Sequence, residues 1–261
     1  MPRLVFWPDR VKHDTTTRMN KLTLSLSVVV LAGSLQWASA GDITGKVTLK
    51  GTPPPEITIP YDDTCSKLHP AIPTTRRYVV GKDNGLANVF VYISKGLEGK
   101  KFTAPTEVVE LDQIGCNYNP YVFGVMVGQP VRIKNSDPLM HNIHALPTAD
   151  GNTEFNFAET AQGDVNDTKW TDSIKAPEVM VKLKCDVHNW MYAYAGVQAH
   201  PFFAVTDADG NFKIANVPAG SYTLTAYHLK VHGINPGAAQ DITVADSPVT
   251  ANFTVEVPPP Q

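Results

Sequence analysis

The sequence predicts an all-β chain, and three observations carry that expectation. After Gly41 most apolar stretches alternate with period two, the spacing that sends successive side chains to opposite faces of a strand. Turn-forming residues recur at short intervals, with 18 Gly and 21 Pro in 261 residues. No stretch carries the 3.6-residue period of a helix of useful length.

The elements follow in order. Ile43 to Leu49 (ITGKVTL) alternates until Thr52-Pro53-Pro54-Pro55 breaks it. Asn88 to Ile93 (NVFVYI) is apolar and β-branched, with Gly96 and Gly99 behind it. Pro120 to Val127 meets the turn Gly128-Gln129-Pro130, and Val131 to Lys134 resumes the alternation. Residues 147–169 are polar and rich in Gly, Asn and Asp, which reads as long loops. Val179 to Cys185 (VMVKLKC) alternates strictly, placing Val179, Val181, Leu183 and Cys185 on one face.

The character changes at His200-Pro201. Asp209-Gly210 sits between alternating runs, the mark of a hairpin. Phe212, Ile214, Tyr222, Leu224, Ala226, Ile242, Val244, Phe253 and Val255 are the expected inward positions. The expected organisation is one domain over 41–200, a smaller β domain over 201–257 and a tail at 258–261.

Residues 1–40 are set apart from the fold. From Met19, Lys21 is followed by an apolar run (Leu22 to Leu35) and Ala38-Ser39-Ala40, the order of a secretory signal. Met19 is the expected true start, because residues 1–18 are polar and contain Pro8. The run is short for a bilayer span of about 20 residues, so no transmembrane segment is expected in a mature chain that is periplasmic or secreted. Residues 1–40 hold five of the 22 Lys/Arg and two of the 25 Asp/Glu, so without them the net charge moves from −3 to −6. No basic run is present, which argues against nucleic acid as a partner.

Three cysteines in an oxidising compartment favour one pair and one left over. Cys185 has a different use, so Cys65 and Cys116 are the expected disulfide. Cys185-Asp186-Val187-His188-Asn189-Trp190-Met191 places a thiol, an imidazole and a thioether within seven residues. A His₂Cys set with a weak Met is a copper arrangement, and Met as fourth ligand argues against zinc. The second imidazole must come from Asn135-Ser136-Asp137-Pro138-Leu139-Met140-His141-Asn142-Ile143-His144. On a strand His141 and His144 face opposite ways, and His141, sharing its face with Ile143 and Ala145, is preferred. The expected metal ligands are thus His141, Cys185, His188 and Met191. Asn142 is expected to hold the Cys185 loop by hydrogen bonding, and Leu139, Met140 and Trp190 are candidates for an apolar docking patch.

The pairing of N-x-D-x-x-x-H-N with C-x-x-H-x-x-M resembles the cupredoxins of the amicyanin and plastocyanin type, over about residues 108–199. The resemblance implies a Greek-key β-sandwich and one mononuclear type 1 copper per chain, cycling between Cu(I) and Cu(II). It also implies His141, Cys185 and His188 as equatorial ligands, Met191 as the axial one, and electron transfer through the edge of His188. The chain departs from the amicyanin pattern in having Val187 where a Pro stands before the second His, and in continuing well past Met191. Residues 204–226 look like a carboxypeptidase regulatory-like domain, a transthyretin-type sandwich, and the combination is similar to methylamine-utilisation-like secreted proteins. The functional expectation is an exported electron carrier with a redox protein partner. A secreted carbohydrate- or protein-binding β module with a structural metal is the alternative. Enzyme activity such as a copper oxidase or reductase is not expected, since the further His ligands of a second copper are not found.

Overall fold

The computed structural model describes residues 40–69, 73–232 and 237–259. Residues 1–39, which hold the Met19 start and all of the expected signal but Ala40, and the last two residues of the tail lie outside the described residues. The fold is all-β, as the alternation predicts, and its strands form two sandwiches.

One sandwich is assembled from both ends of the described chain. β1 (Ala40–Lys50) pairs with β13 (Asn211–Pro218) antiparallel and with β16 (Val249–Thr250) and β17 (Phe253–Glu256) parallel. The facing sheet runs β12 (Phe203–Val205), β2 (Phe90–Lys95), β14 (Gly220–Tyr227), β15 (Ala238–Val244). Ile43, Val47, Val91, Ile93, Phe212, Leu224 and Phe253 share its core. The other sandwich is inserted between β2 and β12. Its larger sheet is ordered β5 (Val122–Met126), β11 (Tyr192–Gln198), β10 (Glu178–Lys184), β7 (His141–Leu146), β8 (Phe155–Glu159). Its smaller sheet is ordered β4 (Asn117–Asn119), β3 (Val109–Ile114), β6 (Val131–Asn135), β9 (Val165–Asn166), and residues of both sheets meet in one core.

Here the structure departs from the expected organisation. β1 and β2, assigned by the sequence to a domain over 41–200, pair with strands beyond residue 201. Period-two patterning marks a strand and its buried face, but not its partner, and these partners lie more than 100 residues away in sequence. The change of character at His200-Pro201 does fall where the chain leaves the inserted sandwich.

Local differences have local causes. Residues 147–169 contain β8, β9 and the start of α2 (Lys169–Ser173), hidden in the sequence by polar outward positions. Strict alternation fails at the start of β10: a register shift between Glu178 and Val181, with Met180 at φ 67°, turns Val179 off the face shared by Val181, Leu183 and Cys185. Of the expected inward positions, Ile242 alone is only half-buried.

The sandwiches join along an aromatic seam. Gly124 and Gly196 are register partners on the parallel strands β5 and β11. A Cβ on Gly124 would lie 2.5 Å from the Phe203 ring, and one on Gly196 2.4 Å from the Phe90 ring. Phe90 and Phe203 come from β2 and β12, so the two bare glycines let one sheet lie close on the other. Residues 51–69 and 73–89, between β1 and β2, make the second link. They carry α1 (Asp63–Ser66), whose Cys65 lies in the core of the inserted sandwich.

Candidate metal centre

Two strand ends and one loop build the site. Alternation along β7 buries His141, Ile143 and Ala145 together and leaves His144 half-exposed. β10 ends at Lys184, and Cys185 follows it on the core-facing side. The loop then closes on itself: Met191 N–H donates to His188 O at 2.9 Å, and Cys185 N–H to Met191 O at 3.1 Å. A hydrogen bond from His188 N–H to Cys185 Sγ, 3.4 Å, turns the imidazole back toward the sulfur.

The resulting geometry is compact. His141 Nδ1 and His188 Nδ1 face each other at 3.0 Å, and Cys185 Sγ is 3.7 Å from His188 Nδ1. One ligand atom from each of the three residues lies within 4.8 Å of the others, and all three residues are buried. Met191 is fully buried in the same core cluster as Cys185. His144 is not part of this group. Its Nδ1 is 2.9 Å from Asp186 and its Nε2 2.6 Å from Glu154.

Asn142 does what its position suggested. Its Oδ1 accepts from the backbone N–H groups of Asp186 (2.6 Å) and Val187 (3.3 Å) and lies 3.3 Å from Cys185 Sγ. Asp137 is a residue the sequence reading did not assign. Its buried carboxylate receives His141 Nε2–H at 2.8 Å and the backbone N–H groups of Gly115 and Cys116, each at 2.7 Å. In the neutral ring, the form that binds a metal, that bond places the proton on Nε2 and leaves the Nδ1 lone pair facing His188 and Cys185. An acidic residue four positions before a ligand-type His was the available signal.

Electrostatics favour the ligand form of the sulfur. Burial pushes the Cys185 thiol up, but hydrogen bonds from His141 and His188 outweigh it and bring it down to about 6. Burial likewise opposes charge on His141, yet Asp137 and the Cys185 sulfur raise that ring to about 9. For Asp137, burial is outweighed by the hydrogen bonds from His141, Cys116 and Gly115, and its carboxyl falls below the usual range.

The donor set fits a borderline-to-soft metal: two imidazole nitrogens and a readily ionised sulfur in a site closed to water. A second grouping, Cys65 and Cys116 with His188, does not fit, because both sulfurs are in the disulfide. That disulfide is the expected one, with Cα atoms 5.7 Å apart.

The edge of His188 is not at the surface. The residue is 3% exposed. Its Nε2 is 3.9 Å from Asp62, the residue that caps α1, and its ring contacts Trp190 at 5.3 Å. Trp190 in turn meets Tyr61 at 4.9 Å and donates its indole N–H to Cys116 O at 3.2 Å. The segment stapled by Cys65–Cys116 therefore covers this side of the centre. Sequence reading missed the part of this cover made by Tyr61 and Asp62, since both lie more than 100 positions before His188. Of the expected docking patch, Met140 is exposed, while Leu139 and Trp190 are half-buried.

A family model described as polysaccharide lyase family 4, domain II, matches residues 167–252, under half of the chain. The span runs across both sandwiches, including Cys185, His188 and Met191 but not His141. No curated protein matches. Solved structures show partial likeness. The purple cupredoxin from Nitrosopumilus maritimus is 19% identical, with 34% of this chain and 99% of that one covered, at a TM-score of 0.28. A Cu(I) amicyanin carrying one methionine-to-alanine substitution is 15% identical, with 41% and 98% covered, at 0.30. The Cu-containing nitrite reductase from Thermus scotoductus SA-01 is 19% identical over 38% of this chain, at 0.31, and the chain spans only 24% of its length.

Proposed function

We propose that this protein is an exported electron carrier whose inserted sandwich is cupredoxin-like and holds one copper per chain. The observation that carries the reading is the convergence of His141 Nδ1, His188 Nδ1 and Cys185 Sγ, from two distant segments, at one buried point. Met191 is the fourth, weak ligand. Copper bound there would supply a one-electron Cu(I)/Cu(II) couple. The chain's residues do the rest: Asp137 orients His141, Asn142 holds the Cys185 loop, and burial excludes water. Rigid ligands suit electron transfer, since little has to move when the charge changes.

With the His188 edge covered, the path toward a redox protein partner runs from His188 through the half-exposed indole of Trp190. No helix among the described residues is long and apolar enough to cross a membrane, and the periplasmic or secreted location rests on the signal-like residues 19–40.

A visible absorption spectrum of the purified protein with copper added tests the reading. An intense band that ascorbate bleaches supports it. A colourless product, or colour indifferent to ascorbate, overturns it. The latter outcome would favour the second reading, a secreted binding module with a structural metal, to which the polysaccharide-lyase domain match lends support.

A further inference from the structure

A cleft of about 570 Å³ opens beside the metal centre and shares Trp190 with it. Its size falls in the range of small-molecule sites, roughly 300–1,000 Å³. Four cationic side chains line it: Arg76, Arg77, Lys182 and Lys230. No Asp or Glu lines it, although the chain as a whole carries a net charge of −3. Among the described residues, none of the four cations is in an ion pair. Glu56, next to the lining residue Ile57, spends its carboxylate on Thr75 Oγ1 and on the backbone N–H groups of Arg77 and Tyr78.

The walls are aromatic. The Arg76 guanidinium lies 4.4 Å from the Tyr121 ring centre, and Lys182 Nζ 4.7 Å from that of Tyr192. Tyr194 meets Tyr121 edge-on at 5.6 Å, and Trp190 adds a further ring to the lining. Arg76 also donates to Tyr118 O at 3.4 and 3.5 Å, which fixes its position. Burial works against its charge, and a desolvated cation without a counter-ion is the group most improved by an incoming anion. Cations fixed over ring faces, with no acid among them, define a ligand that is both negatively charged and flat.

We propose that this cleft binds a small aromatic carboxylate, its ring against the tyrosines and its carboxylate on Arg76, Arg77 and Lys182. The proposal does not depend on copper, and its test uses the metal-free full chain. Benzoate is titrated and followed by amide shifts in heteronuclear NMR, with benzyl alcohol as the uncharged counterpart and a short polyglutamate peptide as the macromolecular one. Saturable binding of benzoate is expected, with shifts clustered at Tyr121, Trp190 and Tyr192 and at least tenfold weaker binding of benzyl alcohol. Arg77→Gln with Lys182→Gln should weaken benzoate at least tenfold, while Arg132→Gln with Lys134→Gln, away from the cleft, leaves it unchanged. Unaltered thermal midpoints in both double variants separate lost binding from lost folding. No saturable shift, equal binding of the alcohol, equal affinity in the cleft variant, or binding of polyglutamate without benzoate each overturns the proposal.

Discussion

Asp137 and His141 are joined by a buried hydrogen bond of 2.8 Å, carboxylate to Nε2–H, and the same carboxylate is tied to the backbone of disulfide-bonded Cys116. One acid thus couples the stapled segment to a candidate ligand. Asp137→Ala should lower copper affinity by about 10–100-fold, the usual cost of losing a group that orients a ligand. Competition titration with a chelator measures it. Unchanged affinity would remove Asp137 from the site.

The ligand residues should fail in different ways. Cys185→Ser should abolish the visible band, because a hydroxyl cannot supply thiolate-to-copper charge transfer. His141→Ala and His188→Ala should weaken copper binding, whereas Met191→Leu should keep colour and shift the reduction potential. His144→Ala should leave colour in place, since its ring bonds Asp186 and Glu154 outside the cluster. Absorbance and voltammetry across the series separate these outcomes, and a coloured Cys185→Ser protein rules copper–thiolate bonding out.

Removing the staple should cost stability and uncover His188. The disulfide spans 51 residues, which in the chain-entropy account stabilises by about 4 kcal/mol. Cys65→Ala with Cys116→Ala should lower the unfolding free energy by that order and speed hydrogen exchange at 61–69. Exchange unchanged in this segment would show that packing alone holds it over the site.

The contribution of Glu159 to the stability of the metal-free protein should fall as pH rises from about 4.5 to about 7. Burial pushes the Glu159 carboxyl up to about 7, more than its Gln113 hydrogen bond lowers it. An unfolded chain releases that proton near 4.3. Between the two values the folded state holds the extra proton, so this contribution is complete at low pH and lost by the upper end. The total is roughly 4 kcal/mol. Urea midpoints at pH 4.5, 6 and 8 should show the decline, and Glu159→Gln should flatten it. A difference between wild type and Glu159→Gln that stays constant across this window contradicts the assignment.

Gly196→Ala should destabilise by about 1–3 kcal/mol, the range for overpacking a filled core, because its Cβ would enter the Phe90 ring. Gly99→Ala tests the contrast, as nothing lies within 4 Å of its Cβ. Its positive φ of 74° still carries a strain cost of roughly 1 kcal/mol. Thermal melts compare the two.

What could be read in the chain was local. The strand β7 face carrying His141, Ile143 and Ala145, the Cys185–Met191 loop and the inward positions of β13, β14 and β17 follow from side-chain spacing of two. The disulfide followed from counting cysteines in an oxidising compartment. Val179 was misplaced because one residue in left-handed conformation, Met180, resets the phase of a strand without marking the sequence.

The sequence by itself determined the fold class, the candidate ligands and the disulfide, since each depends on residue type and short spacing. Only the tertiary structure decided that β1 and β2 pair beyond residue 201, that Asp62 and Tyr61 cover His188, and that four cations meet in one cleft. The physical reason is range. Backbone geometry ties a side chain's direction to its immediate neighbours, whereas the partner of a strand is selected by burial summed over the whole chain.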